Sequence, residues 1–241
     1  LYIVNYTIYP SGAVNVAARF TSTDMDAAQT EVSEATRTAT FTPGRDAARK
    51  EASKLNVPRI GVRFRLPASM NQVEYFGRGP AENYLDRNAG SMIGLYKSTA
   101  EELYFPYVRP QENGHHTDTR WVSLSTGKKG LLIQADNTIG FNALRNSIED
   151  FDDEEATGLP RQWSNFTPEQ VANHDEAAAK SVLRRQHHIN DITPRDFVEV
   201  CVDLKQQGVA GYDSWGSRPE PAYTLPANRE YNWGFTLIPL K

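Results

Sequence analysis

Apolar and polar residues alternate along much of the chain, with the two-residue period typical of β-strands. In residues 59–66, Ile, Val, Phe and Leu alternate with Arg and Gly, which predicts a strand with one face in water. In residues 197–204, aliphatic side chains occupy every even position and predict a core-facing side, with Cys201 on the opposite face beside Glu199 and Asp203. Similar patterns predict further strands at 72–76, 121–125, 130–135, 140–143, 181–189 and 232–238.

Residues 1–20 contain a turn signal between two β-rich runs. Tyr9-Pro10-Ser11-Gly12 has proline second and glycine fourth, as a type I turn prefers. After the turn, alternate apolar residues from Val14 to Phe20 share one face. Residues 1–20 are therefore predicted to form a β-hairpin.

Two other stretches depart from the strand pattern. Residues 21–57 are rich in Thr, Ala, Asp and Glu and keep no apolar stripe, so we favour a solvated excursion over a functional loop. Further along, Thr167, Pro168 and Gln170 combine an N-cap, a first-turn proline and a capping box. They predict one short helix over 171–180.

Many short strands with turn signals and few helices indicate an all-β fold, a large antiparallel two-sheet sandwich. The chain has 241 residues, and sandwiches of this size can form one unit. We therefore expect residues 1–241 to form a single domain, with 21–57 as a polar excursion.

Composition argues against several classes of function. The net charge is −4 and no cluster of Lys and Arg forms a basic face, which argues against nucleic-acid binding. No apolar run reaches the roughly eighteen residues that a membrane span needs. The single cysteine, Cys201, excludes an internal disulfide. The chain has no initiator methionine or signal peptide and begins within a β-rich run, so we expect it to be a piece of a longer protein.

Three segments concentrate aromatic, charged and glycine residues. They are 75–87 (YFGRGPAENYLDR), 106–121 (PYVRPQENGHHTDTRW) and 211–219 (GYDSWGSRP). Taken in this order, with strands between them, they resemble the C-terminal small-chain domain of bacterial β-galactosidases of glycoside hydrolase family 2. The resemblance runs from about residue 58 to residue 241, with a weaker match over 1–20.

The resemblance implies a galactose mutarotase-like supersandwich in an enzyme that hydrolyses terminal non-reducing β-D-galactose residues. In that family the acid and the nucleophile belong to a separate (β/α)₈ barrel, and no alternating strand–helix series of that kind exists here. This chain would complete a wall of the active site without catalytic residues or cofactors of its own. Its partners would be galactosides and the N-terminal and barrel domains. The family's catalytic domain commonly uses Mg and Na, and the compartment, bacterial cytoplasm or periplasm, stays open.

Trp215 is the strongest candidate for contact with a sugar. A tryptophan offers a large flat surface to the apolar face of a sugar ring, although a core tryptophan is the alternative from the residues alone. Gly211 and Gly216 remove bulk nearby, and Asp213 and Ser214 can bond the local backbone into a tight turn. The resemblance assigns to Trp215 the role of stacking on the bound sugar, with Asp213 and Ser214 beside it.

The loop histidines and nearby charges allow several interpretations. His115, Glu112 and Arg120 are further substrate-binding candidates or, as we favour, a polar cluster that fixes the loop. A metal site at His115, His116 and Asp118 lacks the usual zinc spacing, so we predict no metal. A second set of residues is predicted to form polar pairs that shape a surface facing another domain: Arg78, Asn83, Asp86 and Arg87.

Two functions of other classes stay open. A free-standing aldose 1-epimerase would use His115 or His187 as general acid and Glu112 as base around the anomeric centre. A non-catalytic carbohydrate-binding module would bind galactose or lactose without any other domain.

Overall fold

The computed structural model describes residues 2–21, 56–108, 111–151, 189–213, 216–227 and 229–241. Within them the chain forms nine β-strands: β1 Tyr2–Ile8, β2 Val14–Phe20, β3 Arg59–Pro67, β4 Gln72–Gly79, β5 Met92–Thr99, β6 His116–Ser125, β7 Gly130–Leu144, β8 Phe197–Gln206 and β9 Tyr231–Leu240. Short 3₁₀ helices lie between later strands, at Ile148–Asp150, Ile189–Asp191 and Pro221–Tyr223. No helix in these ranges is long and apolar enough to cross a membrane.

The strands form one antiparallel hydrogen-bonded network with a branch. Its main path runs β1-β2-β9-β7-β6-β4-β5, and β8 pairs with both β7 and β3. The branch is possible because β7 is 15 residues long. Residues 130–135 of β7 pair with β9, whereas residues 140–144 pair with β8. A single long strand therefore belongs to both layers of the fold.

The hydrophobic core lies between the two layers. Val16 of β2 and Phe235 of β9 belong to the same apolar cluster as Val200 and Val202 of β8, and all four are buried. Burial of this apolar surface is the main force that holds the layers together. Two antiparallel layers around one apolar core form a β-sandwich, which confirms the predicted fold class.

The N-terminal hairpin is also confirmed. β1 and β2 pair antiparallel, with Tyr6 opposite Val16. The turn between them closes where the Gly12 N–H donates to the Tyr9 carbonyl at 2.9 Å. Gly12 has a φ of 85°, which a residue without a Cβ adopts at little cost.

Other strand predictions were incomplete or cannot be compared. The segments 130–135 and 140–143 are two parts of β7 rather than separate strands, and β5 was not predicted. The helix at 171–180 lies outside the described residues, as do most of the strand at 181–189 and most of the excursion at 21–57. The single domain over 1–241 stays a prediction.

Strand β8 is covered on both of its faces. Its valines line the core as predicted, and Glu199, Cys201 and Asp203 on the opposite face are buried as well. Burial raises the pKa of the Cys201 thiol to about 12. A buried thiol that stays protonated is chemically inert.

Candidate functional site

Segment 75–87 is tied to the loop before β6 through the carboxylate of Glu82. That carboxylate accepts hydrogen bonds from the Tyr84 hydroxyl (3.1 Å), the Arg87 guanidinium (3.1 Å), the Gly114 N–H (2.7 Å) and the Tyr107 hydroxyl. Gly114 has a φ of 67°, and a Cβ there would lie 2.9 Å from a backbone carbonyl. The close approach of this loop to Glu82 therefore depends on glycine.

The same segment is bonded to the beginning of β6. Buried Asn83 accepts the Thr117 N–H at 2.9 Å, and its own N–H donates to the His115 carbonyl at 2.7 Å. Arg78 donates to the Asp118 carboxylate at 2.5 Å. Arg78 and Asn83 thus make polar contacts, as predicted, whereas a surface that faces another domain stays a prediction.

His115 lies in a buried polar cluster. The Asn142 amide donates to the Asn113 carbonyl at 2.5 Å, so its oxygen is the acceptor. This oxygen lies 2.8 Å from His115 Nδ1 and also accepts from Arg59, which pairs with Asp203 at 2.7 Å. His115 Nδ1 must therefore carry the proton.

Burial controls the charges in this cluster. It lowers the pKa of His115 to about 3, and the Arg59 cation adds to this effect. It raises the pKa of Asp203 to about 6, against the attraction of Arg59. Burial also opposes the charge of Arg59, but the Asp203 carboxylate outweighs it and the pKa of Arg59 is raised. At neutral pH the cluster holds an ion pair beside a neutral histidine, which is unsuited to act as the general acid of an epimerase.

The structure separates the three further candidates for substrate binding. Glu112 lies 3.6 Å from Arg59 and so joins the edge of the cluster that contains His115. Arg120 instead donates to the Asp118 carbonyl at 2.5 Å and lies over the ring of Phe76. Roles for these three residues in binding substrate stay predictions.

His116 is held between two backbone carbonyls. Its Nδ1 lies 3.1 Å from the Gly114 oxygen, and its Nε2 lies 3.3 Å from the Pro80 oxygen. Burial lowers the pKa of His116, although these carbonyls favour the protonated ring. Within the described residues, no group of three or more His, Cys, Asp and Glu side chains is arranged to hold a metal ion.

The loop that leads to residue 213 is held by Asp86. Its carboxylate accepts the N–H groups of Val209 and Ala210 and the hydroxyl of Tyr212. Asp213 accepts the Ser217 N–H at 3.2 Å. Ser214 and Trp215 lie outside the described residues, so stacking of Trp215 on a sugar stays a prediction.

Acidic side chains that sequence alone could not pair are engaged in the structure. Four of them lie within 4 Å of a basic group: Glu74 with Lys97, Glu82 with Arg87, Glu112 with Arg59, and Asp118 with Arg78. All four carboxylates are therefore engaged in ion pairs.

A family model described as "Beta galactosidase small chain" matches residues 2–237. The chain belongs to this β-galactosidase small-chain family. The match extends through the N-terminal hairpin and residues 21–57, where the resemblance in sequence was weakest.

Curated relatives of this small-chain domain are much longer proteins. The β-galactosidase of Priestia megaterium is 35% identical over 185 residues, which cover 76% of this chain and 15% of that protein. The β-galactosidase of Vibrio cholerae is 29% identical over 181 residues, 75% of this chain and 14% of its own length. That of Halalkalibacterium halodurans is 25% identical over 97% of this chain, which covers 18% of the relative.

Sequence reasoning missed several residues that organise this small-chain domain. Arg59 was predicted to face water, yet it joins Asp203 and Asn142 in the buried cluster. Gly140 was not singled out, although a Cβ there would lie 2.5 Å from the His115 ring. The available signal for the buried cluster was Arg59 at the first position of β3. The alternation of apolar and polar residues does not indicate that its partner is Asp203, 144 residues later in the sequence.

Proposed function

We propose that this chain is the C-terminal domain of a β-galactosidase that releases terminal non-reducing β-D-galactose residues. Membership of the small-chain family and the similarity to named β-galactosidases support this function. The domain completes one wall of the active site and contacts the sugar. The glycosidic bond is broken by carboxylates elsewhere in the full-length polypeptide.

The observation that carries the sugar-contacting role is the loop beside Asp86. Tyr212 is 56% exposed on this loop, while its hydroxyl and the preceding backbone are bonded to Asp86. A loop that is both exposed and held by a charged group is suited to present a flat aromatic ring to a sugar. Trp215 follows three residues later, and we assign it the stacking role, with Asp213 and Ser214 as neighbouring polar contacts.

The engaged carboxylates support a catalytic centre outside this chain. Glycosidases need two carboxyl groups about 5 to 10 Å apart, one of them with a raised pKa. Asp203 has a raised pKa, but it is buried and paired with Arg59. Glu82 and Glu112 are held by structural partners. We therefore expect a barrel domain of the full-length enzyme to supply the acid, the nucleophile and any Mg or Na.

The experiment is Trp215→Ala in the full-length enzyme, with hydrolysis of a nitrophenyl β-galactoside as the readout. Loss of an aromatic platform worth about 1.4 kcal/mol raises KM about tenfold. Trp215→Phe is the matched control, because it keeps a flat ring and should recover part of the affinity. An unchanged KM in the alanine variant would remove Trp215 from the sugar site.

The isolated chain provides the second arm of this experiment. The purified 241-residue chain should not hydrolyse the nitrophenyl galactoside, and polarimetry on fresh α-D-galactose should detect no epimerase activity. Hydrolysis at the rate of the full-length enzyme would refute a catalytic centre outside this chain. Rapid mutarotation would favour the epimerase instead.

A further inference from the structure

Asp86 connects motif segments 75–87 and 211–219. The proposed function does not yet assign a role to this residue. It is half-buried near the end of segment 75–87. Its Oδ1 accepts the Val209 N–H at 3.1 Å, and its Oδ2 accepts the Ala210 N–H at 2.7 Å and the Tyr212 hydroxyl at 3.1 Å. One carboxylate thus holds three donors from a loop more than a hundred residues later in the sequence.

The loop is shaped around this carboxylate. Gly208 is buried against Asp86, and a Cβ at Gly208 would lie 2.4 Å from Asp86 Oδ2. Ala210 has a φ of 56°, in the left-handed region that a residue with a Cβ rarely adopts. Such a turn needs interactions from outside the loop to persist. The hydrogen bonds from the Val209 and Ala210 N–H groups to Asp86 supply such interactions.

The three donors require a carboxylate rather than an amide. An ionised carboxylate accepts at both oxygens, whereas asparagine would turn an NH₂ group towards at least one N–H or O–H donor. Hydrogen bonds to a charged acceptor are also about twice as strong as neutral ones. Asp86→Asn is therefore a near-isosteric change that loosens the loop without leaving a cavity.

Hydrogen bonds also connect Asp86, through Tyr212, to Ser217. The Tyr212 N–H donates to the Ser217 hydroxyl oxygen at 2.9 Å, and the Ser217 N–H donates to Asp213 at 3.2 Å. Holding Tyr212 therefore also holds Ser217. The residues on both sides of Ser214 and Trp215 are linked to Asp86 in this way.

We propose that Asp86 is a positioning residue for sugar binding, which fixes residues 209–213, the loop segment that precedes Trp215 in the sequence. The inference rests on the proposed function, because it gives that loop a sugar to contact. Asp86 acts through the loop and does not touch the substrate. Loosening residues 209–213 lowers the fraction of enzyme in which this loop is correctly placed for the sugar, so KM rises more than kcat falls.

The test uses Asp86→Asn in the full-length enzyme with a nitrophenyl β-galactoside. We expect KM to rise about fivefold while kcat changes by less than about twofold. Tyr212→Phe removes one donor of the three and should raise KM about twofold. If Asp86→Asn does not fold, Tyr212→Phe carries the same test, because it removes only one hydroxyl from an exposed side chain.

Asp150→Asn is the matched control. Asp150 also accepts a backbone N–H, from Ser147 at 2.9 Å, and it pairs with Arg195 outside the loop. Its replacement should lower Tm and leave KM unchanged. An equal rise of KM in this control would mean that general loss of stability, rather than loop position, explains the effect of Asp86.

A double variant separates the two proposals. In a Trp215→Ala background, Asp86→Asn should raise KM no further, because the platform it positions is gone. The same fivefold rise in both backgrounds, or no rise in either Asp86→Asn or Tyr212→Phe, would overturn the positioning role. If Trp215→Ala alone leaves KM unchanged, the stacking role fails, and the effect of Asp86→Asn then reports on the rest of the loop.

Discussion

Replacing His115 by glutamine should flatten the dependence of stability on pH between about 6.5 and 4.5. The pKa of His115 falls from 6.5 to about 3 in the folded protein, because burial disfavours the charged ring and Arg59 repels it. The unfolded chain therefore binds a proton in this range that the folded chain does not. Stability from the neutral ring is complete above pH 6.5 and is lost as the pH falls towards 3.

The size of the effect follows from the width of this window. Each pH unit changes the free energy of unfolding by about 1.4 kcal/mol. From pH 6.5 to pH 4.5 the contribution of His115 is a loss of roughly 3 kcal/mol. Asp203 has a raised pKa of about 6 and acts in the opposite direction, since its stabilising effect is lost as pH rises through that value. Asp203 is present in both proteins, so the comparison isolates His115.

The assay measures the free energy of unfolding in urea at several pH values, for the 241-residue chain and for His115→Gln. Unfolding is monitored by circular dichroism. At pH 7.5 the variant should be less stable by about 1 to 3 kcal/mol, because it loses the stack of His115 on Tyr84, whose ring lies 5.7 Å away. This gap should narrow by roughly 3 kcal/mol at pH 4.5. Parallel stability curves for the two proteins would refute a buried neutral His115.

Two further predictions concern the same buried region. Gly140→Ala should lower the free energy of unfolding by about 2 to 4 kcal/mol, because the new Cβ meets the His115 ring at 2.5 Å while Asn142 holds that ring. Gly90→Ala is its control, since a Cβ there meets nothing within 4 Å, and equal effects at the two positions would contradict the clash. Cys201 should not react with a thiol reagent at pH 8 until urea unfolds the chain, since burial raises its pKa to about 12. Rapid labelling of the folded chain would show that the thiol is accessible.

The strands could be predicted from the sequence where one face of the strand is buried and the other is exposed to solvent. In β2 and β3 the two-residue period is visible in the sequence, and burial follows it closely enough to place both strands. The middle of β7 carries Asp136-Asn137-Thr138, which are exposed, so a continuous strand looks like two strands with a break. In β5, Met92, Ile93 and Leu95 are exposed at the end of the sheet path, and an edge strand of this kind has no clear alternation to detect.

The buried ion pair of Arg59 and Asp203 could not be predicted from the alternation of apolar and polar residues. Arg59 alternates with apolar residues, as a solvent-facing side chain does, and only the pairing of β3 with β8 brings it to Asp203. Periodicity tells which face a residue occupies, but not whether another element covers that face. Strand β7 then adds Asn142 to the pair of Arg59 and Asp203.

The resemblance to a family rested on three separated motifs, and the structure explains why they occur together. Three polar side chains of segment 75–87 each reach a different part of the chain. Glu82 binds the loop at residues 107–114, Asn83 binds the beginning of β6, and Asp86 binds the loop at residues 209–212. Each of these bonds uses a charged or amide group at a half-buried or buried position, where loss of a partner leaves a donor or acceptor unsatisfied. Segment 75–87 is thus bonded to both of the other motif segments. It is therefore the junction between the other two motif segments.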